Sequence, residues 1–520
     1  MPKFIPYDPK QSKRVVINYS DQLQPGTFEF AINHIIDHKL DLTIFYPRYQ
    51  NDEGGRPACD PAILLKIILF AYSKGITSSR EIQWCCETNI LFKALSCDTV
   101  PHDSTLARFV SGRSEEIEAL FEQVLLICDA QGLSGKELFA LDGCKMSSNA
   151  AKEWSGTFKE LEQKRDKIQR QIHYVLNEQK KHDSAGTRED QRRARSEQAI
   201  ETLNKAHEKI DRFLKTARPR MGQGKITREV KSNSTDNESA KMTTSKGTIQ
   251  GDNGIATVDK KHQIIVDAQA FGEGQEHHTL QPVLNAVFER FKRLGIDTHN
   301  PIVTADTGYA NEANNRYRYD NHIDAYIPDN PFRQRDPKFS EQQNTHSQRK
   351  AITGKKLPTK GVIPPSAFDF NPASKTCRCP AGEMMWLRSE LIDKHGHTKI
   401  FFEGRLTKCR GCELKHRCMR NPDSANTRKD HGRQVSFIIQ KGQRVTNYTD
   451  WMKRRVDSER GKLIYSHRMS VVEPVFGNIG ANKRLSRFSL RGKKKVQGQW
   501  QLYCLIHNIE KLKNVGELAR

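Results

Sequence analysis

Three acidic residues stand where a metal ion could be bound. Asp142 ends a short apolar run at 137–141, Asp306 ends a second run at 302–305, and Glu473 follows an apolar pair at 471–472. Carboxylate oxygens suit a hard ion such as Mg²⁺, and two such ions close together can activate the attacking oxygen and stabilise the leaving oxygen of a phosphodiester. In that arrangement Asp142 would contact both ions, Asp306 would contact one and Glu473 the other.

Plain structural roles compete with this interpretation. Ser470 and Glu473, followed by Pro474, fit a capping box at a helix start, and an Asp at a strand end commonly forms a turn. The run His-Asp-Ser at 102–104 has the residue types of a hydrolase triad, but neighbours in sequence cannot pass a proton along one line. Helix capping accounts for that run better, so it is set aside.

The elements that would carry the acids predict an α/β core with a mixed sheet. The runs that end at Asp142 and Asp306 indicate buried strands, and the period-two pattern at 253–268 indicates a hairpin, followed by a helix at 279–294. Strand, hairpin, helix, strand and helix is the chain order of an RNase H-like fold, in which the first and fourth strands are neighbours. Asp142 and Asp306 would then face each other across a few ångströms.

The rest of the chain predicts additions to that core. Apolar residues at three- and four-residue steps within a charged stretch predict a helical hairpin, an antiparallel coiled coil whose charges are more commonly a solvated face than a DNA groove. The N-terminal helices suit either DNA-end binding or packing and dimerisation. The predicted segments are a helical N-terminal domain at 1–135, the first core strand at 136–150, the helical-hairpin insertion at 151–225, the continued core at 226–330, a polar cysteine-rich insertion at 331–461 and C-terminal core helices at 462–520.

Charge and hydropathy favour a nucleic-acid partner. The chain has 520 residues, with 85 Lys and Arg against 62 Asp and Glu, so its formal net charge is +23. Such an excess attracts polyanions. The most apolar run, at 63–72, is too short to span a bilayer and contains Lys66, and the N-terminus has no signal-peptide pattern. We therefore expect a cytoplasmic protein that does not bind a membrane.

The cysteines predict a second metal site. Twelve cysteines in a cytoplasmic chain should be mostly reduced. Cys409 and Cys412, with Cys418 just after them and Cys379 about thirty residues earlier, have the spacing of a structural zinc ribbon. Cys377 or His416 could replace one of these ligands, and reduced structural thiols are the alternative.

Three short blocks in order resemble a known family. They are Leu141-Asp142-Gly143, Ala305-Asp306-Thr307-Gly308-Tyr309 and Val472-Glu473-Pro474-Val475-Phe476-Gly477. Together they resemble the signature blocks of DDE transposases from bacterial insertion sequences, in the branch numbered eleven eighty-two, which is related to the IS-four-like group. Further similar segments lie at 64–109, 244–247, 251–258 and 507–512. The resemblance covers most of the chain except the helical hairpin.

The resemblance implies both an activity and site residues. A transposase of this kind would bind the terminal inverted repeats of its element as a homodimer, associated with the bacterial nucleoid. It would cleave DNA at the ends and transfer the 3′-hydroxyl to target DNA, with Mg²⁺ or Mn²⁺ held by Asp142, Asp306 and Glu473. A nuclease that does not join, a catalytically inactive DNA-binding repressor and a zinc-dependent scaffold are the alternatives.

The resemblance also implies contacts to DNA phosphates. Related families place a Tyr and an Arg before the Glu and a Lys after it. Tyr465 and Arg468 occupy roughly the first two positions, but Gly480 stands where the Lys is expected, and the nearest basic residues are Lys483 and Arg484. Arg487, Arg491 and Lys493 extend this basic surface.

Overall fold

The computed structural model describes most of the chain in two compact units. The described residues are 16–51, 54, 57–184, 190–223, 227–244, 247–339, 362–392, 397–419, 421–427, 431–440 and 447–517. One unit comprises Met1–Asp329 with Ser458–Arg520, and the other comprises Asn330–Asp457. The second unit overlaps the insertion predicted at 331–461. The chain re-enters the first unit at Ser458. There the Ser458 hydroxyl accepts a hydrogen bond from the Gly461 N–H (3.0 Å) and so caps a long helix of that unit.

The N-terminal part of the first unit is helical. Its helices are α1 (Phe28–His38), α2 (Pro61–Ser73), α3 (Ser79–Thr88), α4 (Ile90–Ser96), α5 (Asp103–Gly112) and α6 (Ser114–Ala130). Helix α2 is buried on nearly all sides, which explains its unbroken apolar run, and Lys66 within it forms an ion pair with Asp37 at 2.7 Å. At the start of α5 the His102 ring accepts a hydrogen bond from the Ser104 N–H, so the predicted capping role is confirmed.

The central part of the first unit combines a sheet with helices. Its strands are β1 (Leu138–Ser147), β2 (Ser155–Gly156), β3 (Arg220–Met221), β4 (Glu229–Val230), β5 (Ser232–Asn233), β6 (Ala240–Thr244), β7 (Gly247–Asp259), β8 (Ile265–Phe271), β9 (Ile302–Ala305) and β10 (Ala325–Tyr326). Its helices are α7 (Phe158–Ser184), α8 (Asp190–Thr216), α9 (Leu280–Leu294) and α10 (Glu312–Asp320). Helices α7 and α8 form the predicted hairpin, which packs around Leu161, Ile168 and Ile210.

The main sheet is mixed, as predicted. The strand order is β10-β9-β1-β7-β6, and β8 also pairs with β7. Strand β1 is antiparallel to β7 and parallel to β9, so the first strand of the core and the strand that precedes Asp306 are neighbours. The structure therefore confirms the adjacency on which the predicted acidic site depends.

The second unit contains a separate antiparallel sheet. Its elements are α11 (Phe332–Arg335), β11 (Asp369–Asn371), β12 (Thr376–Arg378), β13 (Met384–Ile392), β14 (Thr398–Glu403), α12 (Leu406–Arg410), α13 (Lys415–Cys418), α14 (Ser424–Thr427), β15 (Gln434–Gln440) and α15 (Tyr448–Asp457). The strands pair in chain order, from β11 to β15. Phe368, Cys377, Ile400 and Phe402 are buried in the core of this unit.

Two helices complete the first unit: α16 (Glu459–Gly477) and, after a π-helical turn at Asn478–Asn482, α17 (Lys493–Val515). Short 3₁₀ turns lie at Ser20–Gln22, Thr43–Arg48, Lys152–Trp154, Glu276–His278, Thr307–Tyr309, Pro337–Phe339 and Pro365–Ala367. Helix α17 is buried nearly all round, and the Trp500 indole N–H donates to the Ile255 carbonyl at 2.9 Å. In the part of the chain that the structure describes, no helix is long and apolar enough to cross a membrane.

The capping box considered at Ser470 is wrong, because 470–473 lies in the middle of α16. Pro474 is inside this helix and has no N–H to donate to the Ser470 carbonyl, four residues earlier. The Gln263 side-chain amide supplies that bond from the β7–β8 turn (3.0 Å). Helix α16 therefore continues past the proline, and Glu473 is not a helix cap.

Candidate active site

Asp142, inside β1, and Asp306, the first residue after β9, lie at equivalent positions of two neighbouring parallel strands. The register of β1 with β9 ends at Leu141 and Ala305, and each acid is the next residue. Neighbouring strands lie about 4.8 Å apart, so the two carboxyl groups are within reach of a shared ion. Asp142 accepts a hydrogen bond from the Gly143 N–H (2.9 Å), and Asp306 accepts one from the Thr307 N–H (2.7 Å).

Glu276 is a third acid at this place, and the sequence interpretation missed it. It lies in the 3₁₀ turn between β8 and α9, and its carboxylate is so close to Gly308 that a Cβ there would stand 3.0 Å from Glu276 Oε2. The Asn253 amide donates to Glu276 (3.4 Å), and Lys145 lies 3.9 Å from it. No motif marks Glu276; the signal that could have found it is its position in the short connection between β8 and α9, five residues after the strand ends.

The three carboxyl groups act on one another electrostatically. Burial raises the pKa of Asp142 to about 6, Arg468 and the Gly143 N–H oppose that rise, and the charges of Asp306 and Glu276 add to it. Burial likewise raises the pKa of Glu276, with a contribution from Asp306. Like charges gathered in a poorly hydrated place favour the binding of a cation.

A cation already stands against Asp142. Arg468, buried on the inner face of α16, forms an ion pair with Asp142 at 2.7 Å, with 8% of its side chain exposed. The guanidinium thus lies against the Asp142 carboxylate, where a metal ion could also bind. An all-oxygen carboxylate set suits Mg²⁺ or Mn²⁺, and the guanidinium shows that the site accepts positive charge, so these residues fit such an ion.

Glu473 is placed differently from the other acids. It lies on α16 beyond Arg468, its side chain is exposed, and its negative charge acts on Arg468. The residues of α16 that face inward are Ile464, Arg468, Val471, Val472 and Val475. Among the residues that the structure describes, no group of three or more His, Cys, Asp or Glu side chains is arranged to hold a metal ion. The structure thus brings Asp142, Asp306 and Glu276 together and leaves Glu473 at the flank.

Lys483 requires a correction. It was expected to contact DNA, but its side chain is buried and its ammonium group bonds to Glu510, so it is not presented at the surface. Tyr465 is half-buried and lies one helical turn before Arg468 on α16. Arg484, Arg487, Arg491 and Lys493 are exposed.

Asn149 holds two of the exposed basic residues beside the sheet. The Arg487 guanidinium donates to the Asn149 side chain (2.8 Å), and Arg491 donates to the Asn149 carbonyl (2.6 Å). Asn149 follows β1, the strand of Asp142. The basic stretch after α16 is therefore fixed next to the end of that strand.

Four cysteines of the second unit line one cavity: Cys379, Cys409, Cys412 and Cys418. Burial raises the pKa of the Cys409 and Cys418 thiols, and the neighbouring thiols add to both shifts. Among the described residues, these thiols are not arranged as a metal-coordinating group. Cys377 is not a substitute ligand, because it is packed in the sheet core with its sulfur 3.8 Å from that of Met385.

Two parts of the chain match protein families. Residues 17–112 match the Transposase domain (DUF772), and residues 378–513 match the Transposase DDE domain. Searches of curated proteins and of solved structures found no match. The first match covers helices α1 to α5, and the second contains the cysteine cluster and Glu473. These matches support an insertion-sequence transposase, a class of enzyme that acts on DNA.

Proposed function

We propose that this protein binds the terminal inverted repeats of its insertion sequence, cleaves DNA at the ends and joins the freed 3′-hydroxyl to target DNA. The observation that carries the proposal is the placement of Asp142 on β1 and of Asp306 at the end of β9, the parallel strand beside it. The matches to two transposase families support it independently.

The core of the proposed enzyme is RNase H-like. The mixed sheet, with β9 beside β1 and β7 antiparallel to it, supports this assignment. The α7–α8 hairpin follows the first core strand, and the second unit precedes α16, so both are insertions in this proposal. The N-terminal helices would contact the DNA ends.

Divalent ions at this site would activate the attacking oxygen and stabilise the leaving oxygen of the phosphodiester. Asp142 and Asp306 would hold them. The Gly143 and Thr307 N–H groups fix the orientation of these carboxylates. Arg468 opposes the effect of burial on the Asp142 pKa and so keeps that carboxylate ionised near neutral pH.

Two residues are candidates for the third ligand. Glu473 is proposed from its sequence block; it lies on α16, the helix of Arg468, and its charge acts on Arg468. Glu276 is proposed from geometry, since its charge acts on both Asp142 and Asp306. Substitution of each by Gln separates the two, because the ligand is the residue whose loss abolishes cleavage while DNA binding is kept.

The partners follow from the same proposal. Arg484, Arg487, Arg491 and Lys493 would contact phosphates, together with Tyr465 and Arg468 at the site. Such contacts contribute salt-dependent affinity without sequence choice. A homodimer would bring the two ends of the element together in the bacterial cytoplasm, in association with the nucleoid.

A structural zinc ion at Cys379, Cys409, Cys412 and Cys418 is a separate proposal. The convergence of four thiols on one cavity supports it. Metal analysis of the purified protein tests it. About one zinc per chain should be present in the wild type and absent from Cys409→Ser/Cys412→Ser, whereas Cys97→Ser, an exposed cysteine of the first unit, should retain it. A wild-type protein without zinc would mean that the thiols are structural.

The activity is tested on a labelled duplex that carries the terminal repeat found beside the gene. Wild type with Mg²⁺ should cleave and join, whereas Asp142→Ala and Asp306→Ala should bind the duplex and do neither. Cleavage without joining would favour a nuclease of the same fold. Binding by the wild type without cleavage would favour a transposase-derived repressor.

A further inference from the structure

The base of the α7–α8 hairpin carries a cluster of cations that the proposed active site does not use. Trp154 lies between two lysines, with Lys164 Nζ 4.4 Å and Lys209 Nζ 4.6 Å from its ring centroid. Lys164 also donates to the Glu153 carbonyl, and Lys209 bonds the Thr235 hydroxyl at 2.5 Å. The aromatic ring therefore holds two ammonium groups from different helices at one place.

In the described part of the chain, the charged groups that act on Lys209 are other cations and not carboxylates. Burial lowers the pKa of Lys209, and the charges that add to this shift, Arg491 and Lys164, are both positive. Burial also lowers the pKa of Lys164, against the charge of Glu153. An arrangement of like charges raises the free energy of the unliganded protein, and an incoming anion recovers that cost.

An open groove adjoins the cluster. Its lining residues are Lys205, Glu208, Lys209, Arg212, Phe213, Thr216 and Ser234. Arg212 is exposed, and Glu208 is the acid among these residues. The Ser234 Oγ is buried and has no hydrogen-bond partner among the described residues. Ammonium, guanidinium and hydroxyl donors in a groove are the groups that bind phosphate oxygens.

The cluster is connected to the strand of Asp142. Arg491, which acts on Lys209, is held by the Asn149 carbonyl, and Asn149 follows β1 directly after Ser148. Ser147 lies five residues from Asp142, a distance of about 17 Å along a strand, which corresponds to roughly five base pairs of duplex DNA. Arg487, Arg491, Lys209 and Lys164 thus form a series of basic residues that begins beside the end of the strand of Asp142.

We propose that Lys164 and Lys209, which flank Trp154 at the base of the hairpin, form a contact site for the phosphate backbone of the duplex whose end lies at the acids, together with Arg212 of the adjoining groove and Arg491. This inference rests on the proposed function, which supplies the duplex. The hairpin insertion is then a DNA-positioning element rather than a solvated appendage. Several cations spread along a path fit a polymer of phosphates better than one small anion.

The test compares variants that remove equal charge from the hairpin. Lys164→Gln/Lys209→Gln is compared with Lys167→Gln/Lys180→Gln, whose lysines are exposed on α7. Affinity for a terminal-repeat duplex of about 40 base pairs, roughly four helical turns, is measured against salt concentration. Each phosphate contact contributes about 0.9 to the slope of log affinity against log salt.

The first variant should therefore lose about 1.8 from this slope and bind on the order of fiftyfold more weakly at about 0.1 M salt, while the control binds as wild type. Arg212→Gln, at an exposed position where folding is not at risk, should lose about 0.9. Backbone footprinting of the wild-type complex should show protection at phosphates roughly five to eight base pairs from the cleaved bond.

Unchanged slopes in both basic-site variants, with wild type still binding and cleaving, would overturn this inference and leave the proposed function standing. An equal loss in the control pair would also overturn it, because the effect would then be one of net charge. A change in oligomeric state without a change in slope would assign the cluster to a protein contact. A wild type that does not bind the duplex would contradict the proposed function itself.

Discussion

Asp142 is held between burial, which favours its neutral form, and Arg468, which favours its ionised form. The pair is largely removed from solvent, with 8% of the Arg468 side chain and 19% of the Asp142 side chain exposed. Removing one partner of a buried pair leaves an uncompensated charge, which costs more than the intact pair contributes. Removing one partner should therefore cost more stability than removing both, and this difference can be measured.

Arg468→Met should destabilise the protein by about 3–5 kcal/mol at pH 8, where Asp142 is ionised. Asp142→Asn in the same chain should recover a large part of that loss, because the buried charge is then gone. Urea unfolding of both single variants and the double variant measures the coupling. Additivity within about 0.5 kcal/mol would mean that the two side chains do not form a functional pair.

Asp252 offers a second test at the residue scale. Burial raises its pKa to about 7, the charges of Asp236 and Glu238 add to the shift, and Arg220 opposes it. Asp252 is 3% exposed, and its Oδ2 has no hydrogen-bond partner among the described residues. A carboxyl whose folded-state pKa is raised binds a proton in the folded state that the unfolded chain has released, so stability falls as pH rises from about 4 to about 7.

Asp252→Asn removes that dependence. Relative to wild type, the variant should gain stability between pH 5 and pH 8, by up to about 1.4 kcal/mol per pH unit below the folded pKa. Urea unfolding at both pH values measures the difference, and Asp21→Asn, at an exposed position, serves as the control. An equal difference at both pH values would show that Asp252 does not titrate in this range.

Single residues were predictable where a strand end coincided with a sequence block. Asp306 satisfies both conditions, whereas Asp142 lies inside β1, which continues to Ser147, and satisfies only the second; the structure places the two residues side by side. Glu276 could not be found in this way, because its role depends on the closeness of Gly308 and not on its neighbours in sequence. Lys483 was misjudged because its charge predicts exposure, whereas Glu510, on another helix, compensates it in the interior.

At the scale of elements, α16 shows how a helix passes through a proline. Pro474 leaves the Ser470 carbonyl without its usual donor, and the Gln263 amide replaces it. Sequence placed a helix start here, because Ser470, Glu473 and Pro474 have the types of a capping box. The donor comes from a turn some two hundred residues earlier, which local sequence cannot reveal.

Gln263→Ala should destabilise the protein by about 0.5–1.5 kcal/mol, since an exposed backbone carbonyl loses one hydrogen bond. The loss should be smaller when Pro474→Ala is also present, because the restored N–H can donate to Ser470. Thermal unfolding of the four chains measures this, with Gln169→Ala, exposed on α7, as control. A loss of the same size in both backgrounds would assign the effect to the Gln263 contact with Lys511 instead.

The helical hairpin was predictable as an element but not as a surface. Its three- and four-residue spacing follows from packing around Leu161, Ile168 and Ile210. The meeting of Lys164 and Lys209 at Trp154 was not predictable, because it requires the two helices and the preceding turn to converge. From composition alone, the charged residues of the hairpin were therefore interpreted as a face exposed to solvent.

At the scale of the whole molecule, the candidate site is assembled from distant parts of the chain. Asp142, Glu276, Asp306 and Arg468 come from a strand, two turns and a late helix of one unit. The order of strands and helices predicted the mixed sheet, because each element carries its own periodicity. The hairpin and the second unit were visible as changes in composition, whereas the point at which the long helix α16 begins depends on its cap, Ser458.

The central claim is that Asp142 and Asp306 hold the ions that serve DNA cleavage. The most direct measurement is cleavage of the terminal-repeat duplex by Asp142→Cys and Asp306→Cys in Mg²⁺ and in Mn²⁺. A thiolate is a poor ligand for Mg²⁺ and a better one for softer ions, so both variants should be inactive in Mg²⁺ and at least about tenfold more active in Mn²⁺. The corresponding Ala variants should stay inactive in both. Cys variants that cleave fully in Mg²⁺, or that Mn²⁺ does not rescue while they still bind DNA, would contradict the claim.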